Sequence, residues 1–196
     1  QAFKIAEAVR LPVMIVLDAF VLSHTEEPVD VPEQEEVDSY LPPCEPAWRL
    51  DPDDPRAFNM LVGPEHYMEL RLKIEQAMQE AIDALREADD EFANRFGRYY
   101  EAVEPYRLEG AEAVLLTAGA STGTARAVVD ELRERGVAVG LLKLRLFRPF
   151  PTSRVCELLR GIRKVGVIDR NISFGQGGIF AAELKAALYG QVERPA

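Results

Sequence analysis

Residues 119–124 read GASTGT, and Gly119-x-Ser121-x-Gly123 is the spacing that presents a nucleophilic serine on a strained turn between a strand and a helix. The surroundings fit such a turn, with the apolar run Ala113 to Ala118 before it and Ala125, Val128, Val129 and Leu132 at helical spacing after it. A serine attacks only when a base takes its proton and an acid orients that base. The two histidines, His24 and His66, both lie upstream, so the chain order serine, acid, histidine of the α/β hydrolases is impossible. The other chemistry open to these residues is hydrogen bonding: Ser121 or Thr122 can cap the following helix while Gly119 and Gly123 permit the turn. The same free N–H groups suit a phosphate or another anion, although the Gly-Lys-Ser/Thr of a phosphate loop is absent.

Two further stretches carry polar chemistry. In KLRLFRPFP, residues 143–151, Lys143, Arg145 and Arg148 put cations at the end of an apolar run, and Pro149 and Pro151 fix the turn. Such cations serve ion pairs, a docked partner or an anionic ligand, and Asp169 and Arg170, ending the next strand, are placed to pair with them. The loop SFGQGGIF offers Gly175, Gly177 and Gly178, a turn composition that signals a dinucleotide only weakly. Gly119, Ser121, Thr122, Gly123, Arg148, Asp169 and Arg170 are therefore the candidates for anion binding or for an interface. No catalytic residue and no metal ligand is assigned: Cys44 and Cys156 stand alone without a Cys-x-x-Cys, which rules out a zinc site or an iron–sulfur cluster built by this chain.

Composition narrows the partners. The 196 residues carry a formal charge of −10 with no basic stripe, which argues against nucleic acid and anionic membranes. With 47% apolar residues and no apolar run long enough to span a bilayer, the expectation is a globular protein in a reducing cytoplasm, partnered by small molecules and proteins. The chain has no initiator methionine and opens inside an element, so it reads as a piece of something longer.

The elements that must position these residues follow from periodicity. Residues 1–22 read as a helix end and a Leu-Pro turn followed by a buried strand, VMIVLDAFVL. The stretch 26–63, rich in Pro, Asp and Glu, reads as an extended connector anchored by Tyr40, Leu41, Trp48, Leu50 and Phe58. Pro64 opens a helix over 64–97, with Tyr67, Leu70, Ile74, Met78, Ala81, Leu85, Ala88, Phe92 and Phe96 on one stripe, long enough to brace two domains. In 98–196 a strand–helix pattern occurs three times: strands 113–118, 137–146 and 165–169, helices 122–135, 152–162 and 178–189. That alternation predicts a three-layer α/β/α domain with a mainly parallel sheet, whose ligands sit beyond the carboxyl ends of the strands.

Four separated stretches, LPVMIVLDAFVLSHTEEPV, GPEHYMELRLKIEQAM, FGRYYEAVEPYRLEGAEAVLLTAGASTGTARAVVDELRERG and GVAVGLLKLRLFRPFP with VGVIDRNISFGQGG, resemble the alpha subunits of the pyruvate:ferredoxin (flavodoxin) oxidoreductases in the same order. The resemblance implies that residues 1–25 close a thiamine pyrimidine-binding domain and that roughly 98–196 form a transketolase C-terminal-like domain. It implies conversion of pyruvate and coenzyme A to acetyl-CoA and carbon dioxide with reduction of ferredoxin or flavodoxin. It also implies a beta subunit, with ferredoxin-like gamma and delta subunits, that supply the diphosphate and magnesium site and the iron–sulfur clusters; the activating glutamate and the pyruvate contacts lie upstream of residue 1, so this chain binds no cofactor alone. Ser23 and His24 match a Ser-His pair of the family as interdomain residues, and Ala19 stands where the family has glycine. The alternatives are the C-terminal domain of a transketolase or 2-oxoacid dehydrogenase, and a small-molecule or anion-binding α/β module.

Overall fold

A computed structural model describes residues 1–46 and 48–196. By internal contacts the chain separates into two units, one of residues 1–15 and 28–99 and the other of residues 16–27 and 100–196.

The first unit is organised by one long helix. Helix α1 (Ala2–Val9) and helix α2 (Gln34–Tyr40) lie against helix α3 (Pro64–Phe96), which begins with proline at its first position and ends at Gly97 in the left-handed conformation, φ 65°. At 33 residues α3 is about 50 Å long at 1.5 Å per residue. Its apolar stripe is covered only toward the C-terminus: Ala81, Leu85 and Ala88 are buried, whereas Tyr67, Leu70 and Ile74 are exposed. Helices α1 and α2 supply the cover, and Tyr40 of α2 donates its hydroxyl to the carbonyl of Ala88 at 2.9 Å while its ring meets Phe92 and Phe96 edge-on. Lys4 of α1 pairs with Glu91 and sits over the Tyr40 ring.

Two expectations are corrected in this region. The connector 26–63 is not extended throughout, because Glu33 and Glu36 close a capping box that starts α2 and Tyr40 gives the short helix a buried anchor. Trp48, Leu50 and Phe58 are exposed and not buried anchors, although the Arg10 guanidinium lies over the Trp48 ring. The apolar run 13–22 forms no strand; its residues are irregular or in a turn, and Met14, Ile15, Val16 and Leu17 are exposed. A central strand exists only where neighbours take its N–H and C=O groups, and among the described residues no strand pairs with this run.

The second unit is a four-stranded sheet between helices. Strands β1 (Val103–Tyr106), β2 (Ala113–Thr117), β3 (Val139–Leu144) and β4 (Lys164–Val167) lie in the order β1-β3-β2-β4. Strand β2 runs parallel to both β3 and β4, with Leu115 opposite Leu141 on one side and Gly166 on the other. Alternation along the strands builds both faces. Val114, Leu116, Leu142 and Leu144 pack with Val155 and Leu159 from α5 (Thr152–Leu158) and its end, and with Leu184 and Leu188 of α6 (Ile179–Leu188). Leu141 and Leu115 pack oppositely against Ala125 and Val129 of α4 (Ser121–Glu134). The result is the three-layer α/β/α architecture with a mainly parallel sheet.

Strand β1, antiparallel to β3, escapes the strand–helix reading: VEPY is short and contains proline, which an edge strand accepts. The sheet closes tightly over β3, where a Cβ on Gly140 would lie 2.8 Å from the carbonyl oxygen of Arg107. No helix among the described residues is long and apolar enough to cross a membrane.

Candidate functional site

The loops beyond the carboxyl ends of the parallel strands hold the candidate residues, and the geometry there is governed by carboxylates of the chain itself. After β2, Gly119 turns the chain at φ 64° and Ala120 takes the N-cap position of α4. The N–H of Ala120 donates to Oδ2 of Asp18 at 2.5 Å, and a guanidinium nitrogen of Arg170 lies 3.3 Å from the same oxygen. A Cβ on Gly119 would fall 2.5 Å from Asp18 Oδ2, so glycine serves the approach as well as the turn. The helix N-terminus that the sequence offers to an external anion is therefore met by an internal one.

Ser121 and Thr122 do not cap α4, contrary to expectation. The Ser121 hydroxyl donates backward to the carbonyl of Ala118 at 2.9 Å, and Thr122 Oγ1 pairs with Thr117 Oγ1 at 3.0 Å in a fully buried contact. With Ala120 at the N-cap in helical conformation, φ −64° and ψ −27°, neither hydroxyl is aimed at the free N–H groups. Gly123 stands in the first turn with open space where a side chain would begin. Ser121 also has no base beside it: His24 Nδ1 shares a 2.8 Å hydrogen bond with Ser23 Oγ and its ring stacks on Phe20, while His66 lies in the first turn of α3.

The second loop repeats the arrangement. Asp169 Oδ1 accepts from the N–H of Phe180 at 3.1 Å and Oδ2 from Ala181 at 3.0 Å, while Asn171 Oδ1 accepts from Ile179 at 3.1 Å. The first three N–H groups of α6 are thus satisfied by side chains following β4. The loop itself folds on a bridge between Ser173 and Gly177, with Gly175 and Gly177 at positive φ.

The cations disperse instead of converging. Arg148, ahead of a cis bond to Pro149, covers the Phe147 ring and pairs with Glu183 of α6. Lys143 pairs with Glu104 at 2.8 Å, an acid that Arg126 also reaches at 3.1 Å, and Arg145 lies over Tyr100. The expected pairing of Asp169 and Arg170 with these cations is not formed, because Asp169 is committed to α6 and Arg170 to Asp18. Asp18, Asn171 and Glu183 were not among the sequence candidates. Asp18 had a signal, an acid inside an apolar run; Asn171 and Glu183 had none beyond neighbouring a strand end and a helix start.

The remaining polar groups are structural in the same sense. Tyr106 and Arg107 both hydrogen-bond Asp130 of α4, and the Tyr106 hydroxyl above all holds that carboxyl below its usual range. Burial pushes the thiol of Cys156 up, and its sulfur faces the carbonyl of Ala187 at 3.4 Å. Among the described residues no group of three His, Cys, Asp or Glu side chains comes together to hold a metal.

Comparison with known proteins accounts for both halves of the chain. Residues 1–90 match the family model described as pyruvate flavodoxin/ferredoxin oxidoreductase, thiamine diphosphate-binding, and residues 111–196 match pyruvate:ferredoxin oxidoreductase core domain II. The chain is 47% identical over 180 residues to the pyruvate synthase subunit PorA of Methanothermobacter thermautotrophicus, which covers 92% of this chain and 47% of that one. It is 42% identical over 197 residues to the ketoisovalerate oxidoreductase subunit VorA of Pyrococcus abyssi, covering 100% of this chain and 50% of the relative. A solved 2-oxoglutarate:ferredoxin oxidoreductase from Magnetococcus marinus superposes over 65% of this chain and 18% of its own with a TM-score of 0.46 and 18% identity, too distant to add to the assignment. The chain spans about half the length of the curated relatives it matches. Two family models in their order and relatives above two-fifths identity along nearly every residue lead to one conclusion: the chain belongs to the pyruvate:ferredoxin oxidoreductase family, among its alpha-type subunits.

Proposed function

We propose that this chain is part of the alpha subunit of a 2-oxoacid:ferredoxin oxidoreductase acting on pyruvate. Pyruvate and coenzyme A become acetyl-CoA and carbon dioxide while two electrons pass to ferredoxin or flavodoxin, or the reverse. The observation that carries this reading is the even match to pyruvate synthase subunits, 47% identical across 92% of the chain in the M. thermautotrophicus relative. In this reading residues 1–25 close the pyrimidine-binding domain, 26–63 and the 64–97 helix connect and brace, and 98–196 is the transketolase C-terminal-like domain. The beta subunit and the gamma and delta subunits complete the enzyme in the cytoplasm.

The role of this portion is scaffolding. Thiamine diphosphate supplies the carbanion chemistry when bound, and its diphosphate needs a cation site and free donors. The donor set here does not fit that group, since the N-termini of α4 and α6 are bonded to Asp18 and Asp169 and no metal-holding cluster exists among the described residues. This supports placing the diphosphate and magnesium on a companion subunit. Arg148, Arg170, Ser23 and His24, all exposed, are the proposed interface residues, with Gly119, Ser121, Thr122, Gly123 and Asp169 shaping the loops beside them.

A second reading is favoured by the VorA relatives, 42% and 43% identical over 100% of the chain: a branched-chain 2-oxoacid replaces pyruvate. Copurification with the companion subunits and coenzyme A-dependent viologen reduction decides between them. Faster turnover of pyruvate supports the first reading and faster turnover of ketoisovalerate the second. Calorimetry of this chain alone with thiamine diphosphate and magnesium should show no micromolar binding; micromolar binding would overturn the scaffolding role.

A further inference from the structure

Strand β4 ends the sheet among the described residues, yet its outer edge is already engaged. The N–H of Ala196 donates to the carbonyl of Arg163 at 2.9 Å, and the Ala196 carbonyl accepts from the N–H of Val165 at 3.1 Å. A residue that donates to one neighbour of Lys164 and accepts from the other is paired with Lys164 in parallel register. The run from β4 through α6 to Ala196 therefore repeats the parallel crossovers that α4 makes between β2 and β3 and α5 between β3 and β4.

The two faces of this sheet are unequally covered. Helices α5 and α6 pack on one face, where Val165 and Val167 of β4 join the core. Among the described residues only α4 packs on the other, over Leu115, Val139 and Leu141 of β2 and β3. A helix is about 10 Å across and neighbouring strands lie about 4.8 Å apart, so one helix covers two strands. On the α4 side β4 is left bare: Gly166 is exposed and Ile168, just after the strand, is 39% exposed. A Cβ on Gly166 would meet only the Leu115 side chain, at 3.5 Å, so no close contact among the described residues requires glycine there. The flank of α4 toward β4 is bare as well. Arg126 and Asp130 turn to Glu104 and Tyr106 of β1, and Val128, about 200° round the helix from each, is 46% exposed.

We propose that the segment following Ala196 in the subunit runs as a fifth parallel strand along β4 and returns as a helix over Gly166, Ile168 and Val128, so that this surface is closed from within the same chain. The pairing of Ala196 sets the direction of the strand, and the bare width beside α4 is what one helix over β4 and its new neighbour would fill. Glycine at position 166 lets that helix approach the sheet closely. The curated relatives are about twice the length of this chain, ample for the roughly twenty residues that a strand and a helix need. The apolar groove beside α4 is then interior surface of the α/β domain, not a docking site for a companion subunit, whichever 2-oxoacid the enzyme takes.

The test compares the 196-residue chain with the natural full-length subunit, the latter alone and with its companions. Maleimide labelling of Val128→Cys and of Ile168→Cys, read at each site by mass spectrometry, reports the groove. Amide exchange of Val167 reports the edge without any substitution, because the N–H groups of Lys164 and Ile168 on either side of it in the alternation point to β2 and that of Val165 to Ala196. In the full-length subunit alone, both labelling rates and the Val167 exchange rate should be at least about tenfold lower than in the 196-residue chain. Equal rates in the two would overturn the closure. Protection that arises only when companion subunits are added would overturn it as well, since another chain would then be the one that covers the groove.

Discussion

A Cβ on Gly178 would lie 2.6 Å from the Cβ of Asp169. This closeness lets one carboxylate take the N–H groups of both Phe180 and Ala181. The backbone of Gly178 is ordinary, φ −71° and ψ 139°, so its requirement for glycine is steric. Gly178→Ala should displace the carboxylate and destabilise the α/β unit by about 1–3 kcal/mol. Asp169→Ala, which leaves the helix end uncapped without the clash, should cost about 1–2 kcal/mol. Urea unfolding followed by far-ultraviolet dichroism measures both; a Gly178→Ala variant as stable as wild type would contradict the packing.

The hydroxyls of the Gly-x-Ser-x-Gly stretch should differ in consequence. Thr122→Val leaves the wholly buried Thr117 hydroxyl without its partner and should cost about 1–3 kcal/mol. Ser121→Ala removes a donor to a carbonyl at the partly exposed helix start and should cost less, about 0.5–1 kcal/mol. Neither change should alter any ester hydrolysis, because no base adjoins Ser121. The reverse order of stabilities would show that Ser121 caps the helix after all.

Tyr40 should be the residue that keeps α2 on α3. Tyr40→Phe keeps the ring contacts with Phe92 and Phe96 and should lose about 1 kcal/mol with the hydrogen bond to Ala88. Tyr40→Ala removes the anchor and should cost about 3–5 kcal/mol. Amide exchange across α2 reports this directly, with rapid exchange expected only in the alanine variant.

Acid should weaken the α4 contact with β1. The folded-state pKa of Asp130 is lowered, first by the Tyr106 hydroxyl and then by Arg107. The stability this contributes is therefore present above the carboxyl's unfolded value and is lost as pH falls through the lower folded value. Melting temperature should drop on acidification through that window, and Asp130→Asn should flatten the drop. An unchanged acid limb in Asp130→Asn would remove Asp130 from the account.

Much of this protein was legible in the chain itself. Pro64 and Gly97 mark the ends of α3, and the spacing of Val114, Leu116, Leu142 and Leu144 against Leu115 and Leu141 assigns each side chain to a face of the sheet. Local period and turn chemistry decide such features, and both are written in neighbouring residues. Tertiary structure alone decided the rest. Whether the apolar run 13–22 is a strand depends on a pairing neighbour, not on its own composition. Which anion meets α4 depends on Asp18, 102 residues away from Ala120 along the chain. A helix N-terminus advertises partial positive charge in any sequence, but the group that answers it is fixed by what the fold brings within 3 Å.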